Sequence, residues 1–106
     1  MYVLTKKQIR PDISANFFDI RNADLVSKEY RDYWRTNYVS TGKCLFVQLT
    51  MSEDQLELTS IMMWESKADY DAFIADQYCL DEFLNKYNAY NEAHNITTET
   101  ISEEEI

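Results

Sequence analysis

The sequence predicts an α+β fold in which two helices cover one face of a four-stranded antiparallel sheet. Three observations predict it. Runs of apolar, aromatic and β-branched residues occupy positions 2–10, 43–51, 56–65 and 96–101. Aromatic residues recur at helical spacing after Asn22 and again after Ser66. Only a short polar turn, Ser52-Glu53-Asp54-Gln55, separates the middle two strands. The order is strand, helix, strand, strand, helix, strand, which is the ferredoxin-like βαββαβ pattern.

Tyr2 and Val3 open the first strand. Pro11 ends it, because its ring forces Arg10 into extended backbone and removes a donor. In the connection that follows, Asp12 and Ser14 favour turns, and Phe17 and Phe18 tether the loop to the body. Asn22 is placed to cap a helix reaching Val39, with Val26, Tyr30, Tyr33, Trp34 and Tyr38 as its apolar stripe. Gly42 stops that helix by taking left-handed backbone. On the second strand Leu45, Val47, Leu49 and Met51 share one side, with Cys44 and Phe46 opposite. On the third, Leu56, Leu58, Ser60, Met62 and Trp64 share a face, with Ile61 and Met63 opposite. Ser66 begins the second helix, and Asp69 completes a capping box. Its stripe is Tyr70, Phe73, Ile74 and Tyr78, resuming at Phe83, Leu84, Tyr87 and Tyr90. The lost phase between Gln77 and Asp81 predicts a bend or break near Cys79. Residues 96–101 form the last strand, and 102–106 read as a frayed acidic tail.

The stretch from Cys44 to Glu65 is thus apolar on both sides. The helices cover one face. Each large side chain left in water on the other forgoes roughly 1.5–3 kcal/mol of burial. A second copy of the chain, docked on the helix-free face, is the expected cover. The alternative is a monomer that carries a flat apolar patch.

A chain of 106 residues is expected to make one domain. With 45% hydrophobic and 14% aromatic residues it is globular rather than disordered. Gly and Pro occur once each, so there is no Gly-rich phosphate loop. The net charge of −9 opposes binding to nucleic acid or anionic lipid. Arg31 and Arg35 are the one candidate anion patch, and they read more simply as a solvated helix face. No apolar run is long enough to span a membrane. Met1 to Leu4 is stopped at once by Lys6-Lys7 and resembles no secretory leader. With two cysteines and no CxxC, the expectation is a cytoplasmic protein with reduced, buried thiols.

Trp64-Glu65-Ser66-Lys67-Ala68-Asp69-Tyr70-Asp71-Ala72-Phe73 resembles the third-strand exit and second helix of antibiotic-biosynthesis-monooxygenase-like proteins. That family belongs to the dimeric α+β barrel superfamily. The resemblance implies a homodimer whose two sheets face each other, and in active members a pocket between sheet and helices. Arg10-Pro11-Asp12-Ile13-Ser14 with Phe17-Phe18 is similar to a segment of short uncharacterised members. The superfamily shares no single chemistry, so fold alone assigns none. Its haem-degrading members match at Trp64 but carry a second-helix histidine where this chain reads Ile74-Ala75-Asp76. They also carry a first-strand asparagine where this chain offers Lys6, Lys7 and Gln8. Its phenol oxygenases use a tryptophan, an asparagine and tyrosines, which Trp64 and several tyrosines imitate without a distinctive spacing.

The residues left to carry chemistry are therefore aromatic. Trp34 and Tyr38 on the first helix, Trp64 on the sheet, and Tyr70, Phe73 and Tyr78 on the second helix converge on one layer. Trp34, Tyr38, Trp64, Phe73 and Tyr78 either line an apolar pocket for a small planar or phenolic molecule or simply fill the core. Trp64, Tyr70 and His94 are the catalytic candidates for a cofactor-free monooxygenase or isomerase. His94, the only histidine, also suits the end of a helix as a cap. No cofactor or metal is expected. The spacing of Asp69, Asp71, Asp76, Asp81 and Glu82 reads as a solvated face.

Overall fold

Strand β1 (Tyr2–Ile9) holds the centre of the sheet because both of its edges are taken. Antiparallel β3 (Glu57–Trp64) pairs on one side and β4 (Thr97–Glu105) on the other. β2 (Cys44–Met51) completes the order β2-β3-β1-β4. The structure, a computed structural model, describes residues 1–106. It is an α+β fold of ferredoxin-like order, as the element sequence predicts.

Helix α1 (Lys28–Trp34) starts later than expected. Its cap is Ser27, whose hydroxyl accepts the Tyr30 N–H. Asn22 is occupied in the turn before it, where its side chain accepts the Asp24 N–H and its carbonyl the Val26 N–H. The helix runs on as a π-helical turn, Arg35–Val39, and Gly42 at φ +76° reverses the chain into β2. Helix α2 (Lys67–Ala75) begins at the capping box: Ser66 Oγ accepts the Asp69 N–H and donates to the Asp69 carboxylate.

The break falls at Asp76, three residues before the expected Cys79, where a ψ of 118° leaves the helix. The Asp76 carboxylate then caps α3 (Gln77–Cys79). A π-helical turn, Leu80–Leu84, leads into α4 (Asn85–Ala93).

Two sequence expectations are corrected. The acidic tail is not frayed: β4 continues through Glu105, in register with Tyr2. A backbone ladder needs no apolar side chains, and β1 offers its free edge there. The Tyr2 hydroxyl adds a bond to Glu103 at 2.8 Å. The second correction concerns Cys44. A register shift between Cys44 and Phe46 returns Cys44 to the side of its partner Trp64.

The core lies between sheet and helices, around Tyr2, Leu4, Tyr30, Trp64, Phe73 and Cys79. A smaller cluster of Phe17, Leu58 and Ile96 closes the far end. On the helix-free face Val3, Met63 and Phe46 form one row across three strands, with Ile61 beside it. Farther along, that face turns to Thr5, Lys7, Thr59, Gln48 and Thr50. It is apolar at the Trp64 end only, and there Glu104 of β4 flanks Val3.

Candidate functional site

The helix-covered face of the sheet reads as successive rows. Tyr2, Trp64 and Cys44 make the first. It is filled. Trp64 is 0% exposed and is surrounded by Trp34, Tyr38, Tyr70 and Phe73, with ring centroids 5.3 to 6.0 Å away. Leu4, Met62 and Val47 make the second row, and Lys6, Ser60 and Leu49 the third. Above these two rows lies a cavity of about 140 Å³. Ser60 is small where its neighbours on the same face, Leu58 and Met62, are large, which leaves room.

The roof comes from α1, α2, the Leu80–Leu84 turn and α4. Trp34 and Tyr30 enter from α1, Phe73 from α2, and Phe83 and Tyr87 from the last helical segment. Tyr30 and Phe83 stack almost parallel, at 5.2 Å and 7°, and brace the two helices together. Val47 and Ile74 are the exposed lining residues and mark the open side, beside edge strand β2.

The polar groups sit toward one end. Lys6 is half-buried and forms no ion pair. Ser60 pairs with it across the strands. Gln8 donates weakly to the Phe18 carbonyl at 3.4 Å, while its Oε1 is buried without a partner. The Tyr30 hydroxyl also lacks a hydrogen-bond partner, and burial pushes its pKa up. Burial raises Tyr70 as well and pushes Tyr87 up to about 12. These phenols remain protonated donors near neutral pH.

Of the residues singled out from the sequence, Trp34, Tyr70 and Phe73 line the cavity. Trp64, Tyr38 and Tyr78 lie outside its walls. The Tyr38 hydroxyl donates to Asp76 at 2.5 Å, beside the Tyr33 hydroxyl at 2.6 Å. Exposed His94 ends α4 and lies against the Tyr90 ring at 4.3 Å, away from the cavity. Burial pushes the Cys79 thiol up to about 11 and raises Cys44, so both are packing groups rather than nucleophiles. No three His, Cys, Asp or Glu side chains converge as metal ligands. Lys6, Ser60 and Met62 belong to the site but were not among the sequence candidates. The available signal was a lysine on the alternation Tyr2, Leu4, Lys6, Gln8, a charged residue at a core-facing position.

Two solved structures share this arrangement of elements. One is a candidate antibiotic biosynthesis monooxygenase from Deinococcus radiodurans, with a TM-score of 0.56 and 11% identity. The match covers 100% of this chain and 92% of that one. The other is an antibiotic biosynthesis monooxygenase with a TM-score of 0.53 and 20% identity, covering 96% and 97%. The chain has their fold. No family model matches the chain, and no curated protein matches it. At such identities the likeness extends to the course of the backbone and not to residue roles. The cavity lies between sheet and helices, but Trp64, which the resemblance makes a pocket wall, is not among its lining residues. No helix is long and apolar enough to cross a membrane.

Proposed function

We propose that this chain binds a small monocyclic aromatic molecule bearing an acidic oxygen, such as a phenol, between its sheet and helices. The size of the cavity carries the reading. About 140 Å³ is close to the volume of an engineered apolar cavity that accepts benzene, and too small for a fused-ring polyketide. Trp34, Phe73 and Met62 offer ring-stacking and thioether contacts. Lys6, with no carboxylate of its own, and the Ser60 hydroxyl would receive the oxygen.

Trp34 lines the space and Trp64 is sealed from it, so tryptophan fluorescence separates the readings. Phenol is expected to change the emission of the full chain saturably. The response is expected to survive Trp64→Phe and to vanish in Trp34→Phe. A chain that responds to no phenol overturns the binding reading and leaves a purely structural dimer. The second reading is cofactor-independent oxygenation or isomerisation. It draws on Lys6, because an ammonium beside a phenol favours the electron-rich phenolate. Oxygen consumption in the presence of a bound phenol tests it.

The same reading includes a homodimer. The row Val3, Met63 and Phe46, with Ile61 beside it, is the surface a second copy would cover.

A further inference from the structure

Arg10 is a cation enclosed by protein with no carboxylate in direct contact; Asp12 acts on it only through space. The arginine is 6% exposed and takes part in none of the ion pairs. Its Nε donates to the Gln55 carbonyl and its Nη1 to the Ala15 carbonyl, each at 2.8 Å. The guanidinium lies over the Phe17 ring, 4.4 Å from its centroid. Nη2 has no protein partner. Enclosed guanidinium groups are ordinarily paired with a carboxylate, because carbonyl dipoles do not cancel a full charge taken out of water.

Arg10 forms part of the wall of an open hollow of about 470 Å³, and Arg21, Asn16, Asn22 and Gln55 supply further polar lining. Asp19 is the one carboxylate there, and Arg21 already occupies it, through Nε at 3.1 Å and Nη2 at 3.2 Å. Two arginines and one carboxylate therefore line the hollow, on a chain whose net charge is −9. A pair of arginines on an acidic protein suits a small anion rather than an extended polyanion.

We propose that this hollow binds a small oxyanion, a carboxylate or phosphate group, which supplies the direct ionic partner that Arg10 lacks. Planar or tetrahedral oxygens match the guanidinium fork. Arg10 already ties the loop at Ala15 to the hairpin at Gln55, so an anion held there also fastens these two segments together. The site is separate from the aromatic cavity and does not depend on it, although Asp19 touches both.

The test is an NMR titration of the full chain, following the Arg10 and Arg21 Nε–H resonances. Inorganic phosphate and succinate are added separately to about 20 mM, with ionic strength held constant by chloride. A saturable shift of the Arg10 resonance with either oxyanion supports the site. Arg21→Gln, which alters an exposed side chain, is expected to weaken it about threefold or more without loss of fold. In Arg10→Gln the remaining Arg21 resonance is expected to show no saturable shift. Should that variant fail to fold, the Arg21 variant decides. No saturable shift with either oxyanion, a shift that chloride reproduces, or one that Arg21→Gln leaves unchanged overturns the proposal.

Discussion

Trp64 and Phe73 stack with ring centroids 5.3 Å apart and planes 25° from parallel. This contact seals the end of the sheet that the sequence singles out. The empty space begins only at the next row, over Met62 and Ser60. Stability and binding are therefore assigned to different tryptophans.

Trp64→Ala removes a fully enclosed indole and is expected to cost about 3–5 kcal/mol. Trp34→Ala removes a half-buried one that borders a cavity, and is expected to cost about 1–2 kcal/mol while abolishing phenol binding. Urea denaturation measures both. Equal costs would mean that the two indoles are enclosed alike in solution.

Gln8 pays for burial without full hydrogen bonding, since its Oε1 meets no partner. Gln8→Leu keeps the volume and removes the orphan acceptor. Its stability is expected to stay within about 1 kcal/mol of the parent, or to rise. The urea midpoint reports this, at unchanged m-value. A loss above about 2 kcal/mol would reveal a partner for Oε1, such as an enclosed water.

Much of the architecture is legible in the sequence, because strand and helix periodicity report which face of each element is buried. The capping box at Ser66 and the loss of helical phase near Cys79 are local signals, and the structure shows the cap in place and a break three residues earlier, at Asp76. The misreadings have local causes too. Asn22 and Ser27 are both good caps, and only the tertiary turn decides between them. Cys44 changes sides through a β-bulge that alternation does not reveal. The acidic residues after Ile101 look unpaired until β1 presents its edge. The site was half legible. Aromatic spacing reveals Trp34 and Phe73, but a cavity is a difference of side-chain volumes across three elements, and no pattern in one dimension encodes it.

Asp76 gives the fold a pH dependence. Burial alone would raise its pKa, but the Tyr33 and Tyr38 hydroxyls and the amides of Tyr78 and Cys79 outweigh it and hold the carboxyl below its ordinary value. A depressed folded-state pKa contributes stability that is complete above the unfolded pKa of about 3.9 and is lost as pH falls through the folded value. Asp76→Asn is therefore expected to be less stable at neutral pH, by about 2–3 kcal/mol, and to show a smaller further loss between about pH 4 and pH 2. Parallel acid-denaturation curves for the two proteins would remove Asp76 from the account.

The Tyr33 side of the same cluster has the opposite sign. Its hydrogen bond to Asp76, helped by burial, pushes its pKa up to about 12. A raised folded-state pKa contributes stability that is complete below the unfolded value of about 10 and is lost as pH rises through the folded one. Tyr33→Phe is expected to weaken the alkaline dependence between about pH 10 and pH 12 and to leave the acid limb nearly unchanged. Thermal unfolding followed across that range measures it, and an unaltered alkaline limb would count against the bond.

The helix-free face tests the assembly. Val3, Met63 and Phe46 lie in one register row with Ile61 alongside, and Phe46 is 45% exposed in a single chain. Burial of that row against its own copy would remove a continuous apolar strip from water, while the Thr-rich remainder of the face has less to gain. Light scattering is therefore expected to give twice the 12.6 kDa of one chain. Met63→Lys places an ammonium at the centre of the strip and is expected to weaken association by at least about 100-fold. Ile13→Lys, in the loop after β1 and already 65% exposed, is expected to leave the dimer intact. Circular dichroism checks that each variant folds. A parent chain that stays at 12.6 kDa at every concentration, or a dimer indifferent to Met63→Lys, would place any partner elsewhere on the molecule.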